Sequence, residues 1–299
     1  MNMKGKGLYH LLALFVTVVW GITFVSTKVL LMRGLDPAGI FVLRFTVAYG
    51  AIWVASPKML FAATKRDELL LAVMGVTGGS LYFLAENTAL RYTLASNVSL
   101  IICTAPLITA LMSHVWVKGE RVGRWLAYGS LMALGGVACV VYNGSFILKL
   151  NPVGDLLTVA AATLWGVYTI VLKRLDLRYP VLFITRKVFF YGLVTMVPIL
   201  IAWPSPHAGE ALRSPEVIGN LLFLGLLASM LCYVLWNVAV KNLGAIRTTN
   251  YIYLTPIVTL AASRLILGEV ITPVAVVGAI CILGGVWMAG RQGDFPKKH

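Results

Sequence analysis

Glu86 is the one acidic side chain that falls well inside a long apolar run of this 299-residue sequence. A carboxylate kept there is held by a partner, has its protonation used, or recognises a cationic group. Arg44, in the preceding apolar run, lies at a compatible depth to pair with it. Tyr82 and Glu86 share one helical stripe with Gly75 and Gly79, and the positions 150 later are Gly225, Ser229, Cys232 and Trp236. Small residues on such a stripe permit close approach of helices, while Tyr82 and Trp236 are large enough to line a cavity or pack against one. Trp20-Gly21 and Trp165-Gly166 are the two Trp-Gly pairs of the chain, each near the middle of its run. Tryptophan prefers membrane interfaces. A midplane indole either packs against its glycine or offers a small molecule an apolar face and one N–H donor. Asn87 and Asn237 need partners away from lipid, which predicts, with Arg44, a polar network that ties neighbouring helix ends, with contact to a solute as the alternative for the asparagines. Pro106 and Pro256 each remove a helical hydrogen bond, a kink or gating point that frees the carbonyls of residues 102 and 252.

Other chemistry is poorly provided for. Cys103, Cys139, Cys232 and Cys281 lie scattered inside apolar runs, which suggests packing rather than a disulfide framework or a metal centre. His10, His114, His207 and His299 do not converge with a nucleophile or an orienting group, so neither an enzyme nor a cofactor is expected. A channel would be built from rings of like residues supplied by several subunits. The net charge of +14 suggests nucleic acid only until its distribution is considered.

The elements that must position these residues are helices. Apolar residues make up 59% of the chain and charged ones 12%, about half the charged share of a soluble domain. The apolar residues come in runs long enough to cross ~30 Å of hydrocarbon, and period-two strand patterns do not recur. The predicted spans are Leu8 to Leu31, Ala38 to Ala55, Leu69 to Leu90, Ala95 to Val117, Trp125 to Val141, Leu156 to Leu172, Val181 to Trp203, Ile218 to Val240, Thr248 to Leu267 and Ile271 to Ala289. The first follows Lys4 and Lys6 as a signal peptide would, but its length and lack of a cleavage pattern mark a retained helix. With the N-terminus inside, sixteen Lys and Arg fall on the cytoplasmic side and four (Arg33, Arg91, Lys149, Arg213) on the other. That bias puts both termini of an all-α, ten-helix polytopic protein in the cytoplasm. Lys28, Lys173, Arg186 and Lys187 are expected to snorkel toward the surface or toward lipid headgroups, and Glu120 and Glu269 to cap helix ends.

The chain repeats itself. Trp20, Gly21 and Lys28 recur 145 positions later as Trp165, Gly166 and Lys173; Asn87 and Pro106 recur 150 later as Asn237 and Pro256. Gly119-Glu120 and Gly129, Gly135 and Gly136 recur 149 later as Gly268-Glu269 and Gly278, Gly284 and Gly285. Two units, 1–150 and 151–299, each of five helices, must enter the membrane from opposite sides, and inverted repeats of this kind support alternating access to a central site. The glycine rows suggest close packing of the fifth and tenth spans, within one chain or between two; a monomer is expected, with a dimer as the alternative. With Trp-Gly in the first and sixth spans, Pro in the fourth and ninth, and Gly-Glu after each of those, the chain resembles the EamA-type drug/metabolite transporters. The resemblance implies a ten-helix inner-membrane carrier, often an exporter of amino acids or other metabolites, with xenobiotic efflux or metabolite uptake as alternatives. Its partners would be a small solute and membrane lipid, not nucleic acid. Trp20, Tyr82, Glu86, Trp165 and Trp236 are the residues expected at the solute.

Overall fold

The protein is represented by a computed structural model that describes residues 7–57, 61–92, 95–116, 123–142, 151–175, 178–202, 208–267 and 272–290. Among these residues there is no strand. The first half contains α1 (Gly7–Met32), α2 (Pro37–Ala55), α3 (Lys65–Gly75), a π-helical turn (Val76–Ser80), α4 (Leu81–Tyr92), α5 (Ala95–Ile102), α6 (Ala105–Trp116) and α7 (Arg124–Tyr142). The second contains α8 (Pro152–Leu175), α9 (Val181–Ala202), the short α10 (Ala208–Ala211), α11 (Pro215–Leu222), a π-helical segment (Phe223–Leu231) and α12 (Cys232–Leu243). It ends with α13 (Ala245–Thr249), a 3-10 segment (Asn250–Leu254), α14 (Thr255–Leu267) and α15 (Pro273–Gly290).

Local sequence sets the boundaries. Asp36 accepts the Gly39 N–H at 2.9 Å and Pro37 opens α2, which satisfies one orphan donor and needs no partner for the proline nitrogen. Thr64 caps α3 through the Asp67 N–H at 3.1 Å, with Asp67 and Glu68 in the first turn where the helix dipole favours them. At the end of α1, Gly34 takes φ +90°, and Leu35 N–H reaches the Leu30 carbonyl, a Schellman turn that only an achiral residue forms without strain.

Among the described residues, six helices are long and apolar enough to cross a membrane: 7–32, 37–55, 65–92, 152–175, 181–202 and 215–243. The expected fourth and ninth spans are broken instead of continuous. Pro106 and Pro256 each stand second in a new helix, α6 and α14, where a missing N–H costs nothing, and the preceding piece ends at a turn or in 3-10 form. Gly119-Glu120, Gly268-Glu269 and Lys149 lie outside the described residues, as do His207 and His299.

α7 and α15 pack tightly within one chain. A Cβ on Gly129 would stand 2.5 Å from the Gly285 carbonyl and one on Gly136 would stand 2.6 Å from the Gly278 carbonyl. Since 129 faces 285 and 136 faces 278, the two helices run antiparallel. Exchanging the halves turns one contact into the other, so a pseudo-twofold axis passes between the helices. With lipid on the outside as apolar as the side chains, van der Waals contact of this kind supplies the association.

The Trp-Gly pairs use the same device across the halves. A Cβ on Gly21 would meet Val258 Cβ at 2.6 Å, and Thr259 donates its hydroxyl to the Gly21 carbonyl at 2.9 Å. Gly166 faces Ile108, Thr109 and Met112 in the equivalent way, more loosely, with 3.3 Å to Thr109 Oγ. α1 therefore lies on α14, and α8 on α6, each helix of one half against the proline-bearing helix of the other.

Candidate functional site

Gly21 and Gly166 bring their neighbours Trp20 and Trp165 face to edge, 5.2 Å apart between ring centres. Tyr82 lies 5.3 Å from Trp165, and Tyr233 lies 5.8 Å from Trp165 and 6.1 Å from Trp20. These rings form the wall of a cleft between the halves that also touches Arg44, Phe83, Glu86 and Thr255, with about 520 Å³ of non-protein space counted to its open mouth. Its lining is mostly apolar with a few polar groups, the composition of a small-molecule site.

The polar groups are unevenly satisfied. Arg44 is buried, donates from Nε to Ser229 Oγ at 2.9 Å and lies over the Phe83 ring at 4.5 Å. It is not in salt-bridge contact with Glu86, so the direct pair expected from their depth is replaced by a serine and an aromatic face, leaving the guanidinium edge available. Glu86 is 7% exposed and accepts the Tyr82 hydroxyl at 3.2 Å. Trp20 Nε1 donates to the Ala228 carbonyl at 3.0 Å, whereas Trp165 Nε1 is buried with no partner among the described residues. An unpaired buried donor is costly unless a ligand or water completes it.

Both π-helical segments serve this site. Gly78 and Ala228, 150 positions apart, each present a carbonyl to an aromatic donor of the opposite half: Tyr233 OH to Gly78, Trp20 Nε1 to Ala228. A π turn misaligns one carbonyl from its helical partner and so makes it available. Trp236, expected at the solute, is fully buried behind Trp20 at 4.9 Å and does not reach the cleft. Asn237 accepts from Tyr168 OH at 2.6 Å and donates to Thr185 Oγ at 2.9 Å, and Asn87 donates to the Pro37 carbonyl in the first turn of α2 at 3.1 Å. Pro106 adjoins the cleft residue Ala105, and Pro256 adjoins Thr255; the Ile252 carbonyl accepts the Thr255 N–H and also takes the Cys103 thiol at 3.6 Å.

Several basic residues depart from expectation. Lys187 is 5% exposed and ion-pairs with Glu68 on α3, and Arg186 is buried, donates to the Ser56 carbonyl and lies over Trp53 at 4.6 Å. Lys28 caps the end of α4 through the Leu90 carbonyl at 2.7 Å. For Lys187 and Arg186 snorkelling is replaced because the other half supplies acceptors within reach, whereas Lys28 finds its acceptor at the end of α4 in its own half. Tyr233 was legible only as the residue 150 after Phe83; Ile102 and Ile252 were marked through their carbonyls by the prolines four positions on, while Thr23, Phe24 and Thr255 carried no signal of their own.

The sequence matches the EamA-like transporter family twice, over residues 7–142 and 152–291. It is 32% identical to a probable terminal-alkyne amino-acid exporter of Streptantibioticus cattleyicolor, covering 94% of this chain and 93% of that one. It is 30% identical to an uncharacterized transporter of Archaeoglobus fulgidus (93% and 96%) and 28% identical to a probable amino-acid metabolite efflux pump of Salmonella typhimurium (93% and 93%). A crystal structure with 18% identity superposes with a TM-score of 0.69 over 96% of this chain and 97% of its own, which shows the same fold. Two matches to one family, the apolar helices and a cleft between antiparallel halves lead to one conclusion: the chain belongs to the EamA-like transporter family.

Proposed function

We propose that this protein carries an amino acid or a related small metabolite outward across the inner membrane, by alternating access between units 1–150 and 151–299. In this reading the chain crosses the membrane ten times, the broken α5–α6 and α13–α14 each making one crossing, with both termini in the cytoplasm. Pro106 and Pro256 are the points where those crossings bend as the cleft changes sides.

The observation that carries the reading is the pair of opposite charges on the cleft, the Arg44 guanidinium and the Glu86 carboxylate, walled by Trp20, Tyr82, Trp165 and Tyr233. An amino acid brings a carboxylate for Arg44, an ammonium for Glu86 and a side chain for the aromatic wall. A neutral xenobiotic would leave the buried charges without partners, at a cost of several kcal/mol. Outward direction is supported by the relatives named as exporter and efflux pump.

The test is counterflow in proteoliposomes with a labelled panel of amino acids, their decarboxylated amines and their deaminated acids. Exchange of the amino acids well above both analogue sets is expected. Equal exchange of all three sets, or exchange of neutral drugs alone, would overturn the amino-acid reading; no exchange at all would overturn the carrier reading.

A further inference from the structure

Arg33 and Glu216 form an ion pair where α1 finishes and α11 begins. Arg178 and Asp67 form another, at 2.8 Å, where the chain has left α8 and α3 begins. Arg33 and Arg178 are 145 positions apart, the offset that relates Trp20 to Trp165. Asp67 and Glu216 are 149 apart, the offset of the glycine rows in α7 and α15. Each pair is thus the image of the other when the halves are exchanged. Each also crosses from one half to the other, and the inversion puts them at opposite ends of the bundle.

Their settings differ. The Arg33 and Glu216 side chains are 56% and 44% exposed. Arg178 is 62% exposed, but Asp67 is 3% exposed and also accepts the Tyr179 hydroxyl at 2.9 Å, while that hydroxyl takes the Ala63 N–H at 3.0 Å. Beside it Glu68 holds Lys187 and Tyr191 of α9 and accepts the Ala62 N–H at 2.7 Å. One end is therefore tied by a solvated pair and the other by a buried cluster that joins α3 to α9 and to the segment before it.

We propose that Arg33–Glu216 and Arg178–Asp67 are reciprocal latches of the transport cycle, the outer and the cytoplasmic respectively. Both pairs are closed in this structure; resting on the carrier reading above, each parts in turn while the other holds, and the cytoplasmic latch, with its buried carboxylate, biases the resting chain toward facing outward. A latch shifts the conformational balance only by the difference it makes between the two states, so the buried one dominates.

The test uses the full chain with its four native cysteines replaced and a single Thr23→Cys on the cleft wall. A membrane-impermeant maleimide is applied to intact cells and to inside-out vesicles. Asp67→Asn is expected to raise the labelling rate from the cytoplasmic face about threefold to tenfold and to lower it from outside. Glu216→Gln should move both rates the other way by about twofold, as an exposed pair does less. The charge exchange Asp67→Arg with Arg178→Asp should return both rates toward those of the parent. Where Asp67→Asn does not accumulate folded, Arg178→Gln opens the same pair from its exposed side and carries the same expectation. Shifts of both single variants in one direction, or no shift in either, would overturn the latches. Counterflow separates the two readings: it persists if only the latches are wrong and is missing in the parent if the carrier reading is.

Discussion

At the scale of the residue, Glu86 has three uses open to it from sequence, and its surroundings narrow them. Arg44 is engaged by Ser229 and Phe83, and among the described residues the carboxylate has one hydrogen bond, the long one from Tyr82. Those contacts stand in place of a direct ion pair with Arg44. Of the two remaining uses, protonation and recognition of a solute ammonium, the second is the one that the proposed function takes up and that substitution of Glu86 tests. A charge-assisted hydrogen bond contributes about 1.5–3 kcal/mol. Glu86→Gln should accordingly weaken binding of amine-bearing solutes by about tenfold to a hundredfold while changing binding of deaminated analogues little, as read from concentration dependence in counterflow. An equal loss for both sets would show that the residue acts on the fold instead.

At the scale of the element, the glycines decide how closely the halves meet. An added Cβ at Gly21 collides with Val258 Cβ, which is fixed to the backbone of α14, whereas at Gly166 the nearest atoms are the ends of Thr109, Met112 and Ile108 side chains at 3.3 to 3.6 Å. Gly21→Ala should therefore cost about 1–3 kcal/mol, seen as a lower thermal unfolding midpoint in detergent. Gly166→Ala should be nearly neutral, since a small readjustment is offset by about 1 kcal/mol of helix propensity gained over glycine. Equal effects at the two positions would contradict the unequal closeness of the α1–α14 and α8–α6 contacts. Repeat symmetry alone gives no reason for that difference.

At the scale of the whole molecule, the prediction concerns direction in the membrane. Cysteines introduced beside Arg33 and Lys149 should be labelled from outside by an impermeant thiol reagent, and ones beside Arg66 and Arg124 should not. The reverse pattern would invert the assignment of the two latches as well as the reading of export. The ends of the bundle are physically unlike: Asp67, Glu68, Arg178 and Lys187 interlock at one, and Arg33 and Glu216 meet in the open at the other. A molecule with internally related halves is thereby unsymmetrical in the strength of its closures.

What could be read from sequence was whatever depends on composition and period. Long apolar runs, the basic bias, the constant offsets and the Trp-Gly and proline positions follow from the cost of exposing polar groups to lipid, and each is a one-dimensional property of the chain. Trp20, Trp165, Tyr82 and Glu86 were found this way, because an odd residue in an apolar run stands out. Partners separated by one to two hundred positions were not legible. That Arg44 meets Ser229, that Lys187 meets Glu68, and that Trp236 lies behind the wall rather than on it depend on which helices touch and at what rotation. The π-helical segments at Val76–Ser80 and Phe223–Leu231 were invisible for the same reason. An extra residue per turn costs local hydrogen bonding and is stabilised only by what its freed carbonyls meet, Tyr233 at Gly78 and Trp20 at Ala228, and those donors arrive only when the two halves pack.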